Sequence, residues 1–122
     1  MRERPRGDIV FIYFRYAERF GREDYRTHPY LSVDAAEFLI DRGVNIVGTD
    51  TITPDVPVVA RQPGFDWPVH RRLLSHDVLI VENLGAGLAE VRGRRLTLAV
   101  LPLRIRGGDG SPVAACGWLE GG

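Results

Sequence analysis

Lysine is missing from this chain: all 16 basic residues are arginine. We read that bias as a property of genome composition, unconnected to function. Sixteen acidic residues balance them, for a formal net charge of zero. No global field therefore draws in nucleic acid or an anionic membrane, and neither is expected as a partner. Cysteine is nearly absent too. Cys116 stands alone, which excludes an intrachain disulfide and suits a reducing cytoplasm. Long hydrophobic runs are lacking, with nothing near the roughly 18 apolar residues that a membrane span needs. The start, Met1–Gly7, is basic, but Ile9–Phe14 is too short for the apolar core of a secretory signal and is followed by charges. Histidine occurs three times, at positions 28, 70 and 76, which limits any imidazole chemistry to those places.

The chain has 122 residues, 44% of them hydrophobic and 26% charged. That length and composition fit one globular domain with a real core, spanning residues 1–122. A buried-looking strand begins after only seven polar residues. This suits a clean domain start, and equally a domain that has lost its front.

The pattern along the chain is mixed α/β. Asp8–Phe14 is β-branched and aromatic throughout and reads as a strand buried on both faces. Arg15–Pro29 reads as a loop with one helical turn. Ser32 caps a helix over Val33–Arg42, with Asp34 in the first turn and Gly43 just past the end. Ala35, Phe38 and Leu39, widened by Ala36 and Ile40, form its expected buried stripe. Val44–Val47 is the next strand, so the joints are those of a βαβ unit. Gly48–Asp55 leaves as a polar loop. Asp66 or Trp67 caps a second helix, with Pro68 near its first position, running to about Ser75. Val78–Val81, Leu96–Leu101 and Val113–Leu119 are further strands, and Gly85–Val91 is a short helix. A glycine-rich loop, Gly107–Pro112, precedes the last strand, which ends in Glu120-Gly-Gly. The total is about five strands and two or three helices.

The stretch His70–Glu82 carries the candidate chemistry. It puts an imidazole near the start of a helix and a carboxylate at the end of a strand, two ligand types that a divalent metal accepts. From His70 to Ser75 the helix advances about 7–8 Å. From Asp77 to Glu82 the strand returns about 16 Å. With strand and helix antiparallel, both side chains reach one cavity. The plainer alternative is a half-buried helix histidine beside an exposed strand-end glutamate. His76, next to Asp77, reads as solvated surface, and His28 as a loop residue. The Gly107–Pro112 loop offers backbone N–H groups to an anion, or is simply a strand-connecting turn that needs positive φ. It has no following helix and no P-loop lysine. Asp50 and Asp55 are loop carboxylates after a strand, and either could serve chemistry, although capping and turn formation are the commoner duties. Ser111 has no nucleophile-elbow pattern around it.

These motifs together resemble a known family. Leu31–Asp50 (L-S-V-D-A-A-E-F-L-I-D-R-G-V-N-I-V-G-T-D), His70 with Glu82-Asn83-Leu84, Leu101-Pro102-Leu103 and Gly107-Gly-Asp-Gly-Ser-Pro112 are similar in order and spacing to the cyclase family of metal-dependent hydrolases. Kynurenine formamidase (arylformamidase) and isatin hydrolase belong to that family. The resemblance runs from about Gly7 to Val113 and is to the family's C-terminal half. It implies a swivelling β/β/α fold, in an incomplete version, and a zinc or manganese centre that hydrolyses a formamide or cyclic amide. It implies that His70 and Glu82 are metal ligands. It also marks Asp50, Gly108, Asp109 and Ser111 as substrate-pocket candidates. The family's His-x-x-Thr-His-x-Asp-x-Pro-x-His signature, which carries the other ligands and the general-base histidine, has no counterpart here.

Two functions from different classes follow. The first is a metal-dependent amide hydrolase of arylformamidase type, acting on a substrate such as N-formylkynurenine. This chain supplies half of the metal site, and a homo-oligomer or a partner chain completes it. The second is a catalytically inactive fragment serving as a folded interaction module. A third reading is an anion- or nucleotide-binding domain built on the Gly107 loop.

Overall fold

A computed structural model describes residues 7–119. The basic start at residues 1–6 and the Glu-Gly-Gly tail at 120–122 lie outside the described residues. The chain divides between Glu90 and Val91 into two compact units.

The first unit is a three-stranded parallel sheet in the order β1-β2-β3, with β1 at Ile9–Ile12, β2 at Ile46–Thr49 and β3 at Leu79–Val81. Helix α1 (Val33–Asp41) crosses from β1 to β2, and α2 (Pro68–Leu74) from β2 to β3. Ile9 pairs with Ile46 and Ile12 with Thr49; Ile46 pairs with Leu79 and Gly48 with Val81. Parallel strands need crossovers of this kind, which carry the helix start to the carboxyl end of the preceding strand. The core gathers Leu31, Ala36, Val44, Val47, Val69, Leu73 and Val78 between the sheet and the two helices. Arg72 Nε on α2 also meets Glu37 Oε1 on α1 at 3.1 Å.

The second unit is an antiparallel hairpin of β4 (Thr97–Pro102) and β5 (Val113–Trp118), with Thr97 opposite Trp118 and Pro102 opposite Val113. The glycine-rich loop joins them. Gly107 has φ 72°, as the turn reading required, and Leu103 N–H donates to Ser111 Oγ at 3.0 Å. The described chain is thus mixed α/β, with five strands in a parallel and an antiparallel sheet and two α-helices joined by 3₁₀ turns. No helix among the described residues is long and apolar enough to cross a membrane.

Several local expectations are corrected. β1 is half-buried at all four positions and not enclosed on both faces, because it is the edge of its sheet. Val47 and Thr49 on the central β2 are the ones with no exposure. β2 begins two residues later than expected. Val44 N–H is spent on Leu39 C=O at the helix end, and the ladder then continues through Gly48 and Thr49, which read as loop. On α1, Ser32 Oγ accepts from Ala35 N–H as expected. Phe38, placed in the buried stripe, is instead 56% exposed, with the Arg42 guanidinium 4.6 Å over its ring. The reason is rotational. Ala36 is the fully buried centre of the helix, Leu39 and Ile40 follow it on the same side, and a residue two positions on points away.

Gly48 is required by packing. A Cβ there would stand 2.5 Å from Phe11 Cδ1 and 2.9 Å from Leu84 Cδ1. The missing side chain lets β1 and the segment after β3 close over the middle strand.

Candidate metal centre

The polar loops of the first unit leave from the carboxyl end of the parallel strands, where open α/β sheets bind ligands. Thr49, Asp50, Thr51, Thr53 and Asp55 are all buried there. Thr51 Oγ1 reaches Thr49 Oγ1 and Thr53 C=O, each at 2.9 Å, and Thr53 Oγ1 accepts from Asp55 N–H at 3.2 Å. Pro54 C=O accepts from Leu31 N–H at 2.8 Å. These bonds replace water for a run of backbone that no regular element covers.

Helix α2 starts beside this loop with Trp67, one of the two expected residues, at its N-cap, but the capping side chain comes from elsewhere. Trp67 occupies the N-cap in the left-handed region, φ 51°, and its side chain caps nothing. Pro68 at the first position has no N–H to satisfy. The next two N–H groups are taken by Asp55. Its Oδ1 accepts from Val69 N–H at 3.0 Å and its Oδ2 from His70 N–H at 2.9 Å. The same Oδ2 lies 2.7 Å from His70 Nδ1. An acceptor-only carboxylate at that atom makes Nδ1 the donor, which leaves Nε2 as the outward nitrogen.

Nε2 faces Glu82 Oε1 at 3.2 Å. Glu82 is the residue after β3. Its neighbours hold it in place: Asn83 N–H donates to Thr51 C=O at 2.9 Å and Leu84 N–H to Thr49 C=O at 3.0 Å. Asn83 itself is left-handed, φ 56°, and its Oδ1 accepts from the buried Tyr25 hydroxyl at 2.9 Å. Helix start and strand end therefore lie at one level, and His70 and Glu82 meet. Their side chains are 25% and 35% exposed, so the pair is partly open to solvent and not in the core. The hydrogen bond to Glu82 holds the His70 pKa above its ordinary value; burial opposes this and Asp55 adds to it.

The donor pair fits a metal. Two bonds of about 2.1 Å meeting at tetrahedral or octahedral angles separate their donor atoms by about 3.0–3.4 Å. The observed 3.2 Å lies inside that interval. Asp55 on the far nitrogen matches the carboxylate–histidine–metal arrangement by which ligating imidazoles are oriented. Among the described residues no cluster of three or more His, Cys, Asp or Glu side chains is placed to hold an ion, so the donor set here is a pair.

The other sequence candidates have engagements of their own. Asp50 is fully buried, and its oxygens accept from Phe14 and Tyr16 N–H at 2.7 Å and from Ala17 N–H at 3.2 Å. That engagement ties the segment after β1 to the end of β2. Gly108, Asp109 and Ser111 belong to the second unit, where Ser111 Oγ also donates to Pro112 C=O at 3.0 Å. His28 is buried, with Nδ1 2.8 Å from Pro29 C=O, and His76 closes the end of α2 against Arg72 C=O at 2.9 Å. Asp55, for which capping was an expected duty, does cap a helix, but its bond to the His70 ring was not foreseen. Its signal was indirect: a helix opening Trp-Pro has no local side chain suited to capping it.

The Cyclase family model (Putative cyclase) matches residues 1–56. The chain is 34% identical to kynurenine formamidase of Bacillus cereus over 87 residues, 71% of this chain and 38% of that one. A predicted metal-dependent hydrolase of Bacillus stearothermophilus superposes with TM-score 0.62 at 25% identity, over 90% of this chain and 49% of the other. An isatin hydrolase bound to the product analogue thioisatinate superposes with TM-score 0.71 at 26% identity, over 88% and 43%. The chain spans about half the length, or less, of the curated relatives it matches, from 38% to 53%. By sequence and by fold, this chain is similar to part of the length of cyclase-family proteins.

Proposed function

We propose that this chain contributes two ligands, His70 Nε2 and Glu82 Oε1, to a divalent-metal centre that hydrolyses a formamide or cyclic amide. The observation that carries the reading is their 3.2 Å separation, with Asp55 fixed on the opposite ring nitrogen. Zinc suits a mixed nitrogen and oxygen set, and manganese tolerates it. When bound, such an ion supplies Lewis acidity toward an amide carbonyl and toward water. The chain's own residues then have plain duties. His70 and Glu82 bind, Asp55 orients the imidazole, and the Asn83 and Leu84 amides hold the Glu82 segment against the end of β2. A catalytic zinc usually has three protein ligands, so a second copy or a partner polypeptide completes the site. Kynurenine formamidase among the relatives makes N-formylkynurenine the first substrate to try. We place the reaction in the cytoplasm, which the single cysteine suits.

A second reading, a folded module without catalysis, is favoured by one observation: the described residues bring together two donors and not three. One experiment separates the two. N-formylkynurenine hydrolysis is measured with zinc or manganese, for the chain alone and mixed with a polypeptide carrying the family's histidine-rich ligand signature. The hydrolase reading predicts activity in the mixture that His70→Ala and Glu82→Gln remove. Activity indifferent to both substitutions, or none in any combination, contradicts it.

A further inference from the structure

We propose that Asp55 is a positioning residue of this centre: it holds the His70 ring in the Nδ1–H form, so that Nε2 is the atom presented beside Glu82. The inference rests on the metal reading above and deepens it.

Capping alone does not explain how Asp55 is used. A helix cap needs a side-chain oxygen on the N–H groups of the first turn, and Asp55 provides that for Val69 and His70. Its third bond, to Nδ1, is the shortest of the three at 2.7 Å. That bond adds nothing to the helix end, since it serves a side chain. It does fix which nitrogen carries the proton and how the ring is turned. The carboxylate has no exposure at all, and burying a charge is costly unless it is paired and hydrogen-bonded. The His70 ring N–H is its side-chain hydrogen-bond partner. The backbone that carries the carboxylate is also held: Thr53 Oγ1 accepts from Asp55 N–H, and Thr51 Oγ1 donates to Thr53 C=O. Backbone and side-chain bonds thus point one carboxylate at both the helix start and the ring, and the same group sets the place and the face of the ligand.

The test reads the ring directly. In the wild-type chain without metal, 15N chemical shifts of His70, recorded at high pH with the ring neutral, report a single Nδ1–H tautomer. In Asp55→Asn and Asp55→Ala that single tautomer is lost. Zinc affinity, measured by calorimetry, falls about 10–100-fold in both variants, the usual effect of removing such a partner. Asn retains an acceptor for the helix cap, so it separates the ring from the fold. Should neither variant fold, the wild-type tautomer alone decides: an Nε2–H ring overturns the proposal. Variants that keep both the Nδ1–H tautomer and wild-type zinc affinity also overturn it. A wild-type chain with the Nδ1–H ring that binds no zinc sinks the metal reading and leaves the orientation of the ring by Asp55 standing.

Discussion

His70 Nε2 stands 3.2 Å from Glu82 Oε1, and the two residues come from the opening turn of one helix and the position after one strand. That gap suits a shared proton or a metal, but not both. Metal binding must therefore displace the proton from the imidazole, so zinc affinity rises with pH through the range in which His70 titrates. Calorimetry at a series of pH values measures this; affinity independent of pH would place the ion on other atoms.

The same proton contributes to stability in the metal-free chain. The folded His70 pKa is raised above 6.5, chiefly by the Glu82 hydrogen bond, against burial and with help from Asp55. A raised folded pKa means that the imidazolium favours the folded state. The contribution is fully present below the unfolded value and is lost as pH climbs through the higher folded value. Urea midpoints should fall across that interval, and Glu82→Gln should flatten the fall. A wild-type profile without that decline contradicts the pairing.

Asp50 is expected to matter for stability and not for metal. It accepts three backbone N–H bonds from the segment after β1. Asp50→Ala strands those donors, at about 1–3 kcal/mol for each that stays buried. We expect a loss of about 2–5 kcal/mol by urea denaturation, with Asp50→Asn milder, and zinc affinity within a few-fold of wild type. A stable Asp50→Ala with weakened zinc binding would move Asp50 into the site.

Gly48→Ala tests the packing that supports Glu82. The added Cβ meets Phe11 and Leu84 under 3.0 Å, and Leu84 follows Glu82 and Asn83. Overpacking of this kind costs about 1–3 kcal/mol. The denaturation midpoint should drop, and zinc affinity should drop with it as the Glu82 segment shifts. Unchanged stability would mean that the sheet opens freely at β2.

His70 and Glu82 come within 3.2 Å of each other, which helix rise and strand rise permit without requiring, and only the family resemblance implied that they are metal ligands. The α1 cap at Ser32 and the hairpin around Gly107 were legible because both are local hydrogen-bonding and backbone requirements. Gly48 and Thr49 were taken as loop because local polarity says nothing about a parallel partner, here β1, that is far away in sequence. Phe38 was misplaced because Ala35, Ala36, Phe38, Leu39 and Ile40 make a stripe too wide to fix the rotation of α1. Capping was an expected duty of Asp55, but the helix that it caps and its bond to the His70 ring were not legible. A carboxylate capping a helix 14 and 15 residues downstream is a tertiary contact, and no local pattern encodes it.

The central claim is that His70 and Glu82 together hold a divalent ion, and metal content after dialysis tests it most directly. Elemental analysis of the wild-type chain, His70→Ala and Glu82→Gln, each loaded with zinc or manganese and dialysed, gives the comparison. The account predicts metal retained by the wild type and lost by both variants, each still folded by circular dichroism. Equal metal content in all three chains, or none in the wild type, would contradict it.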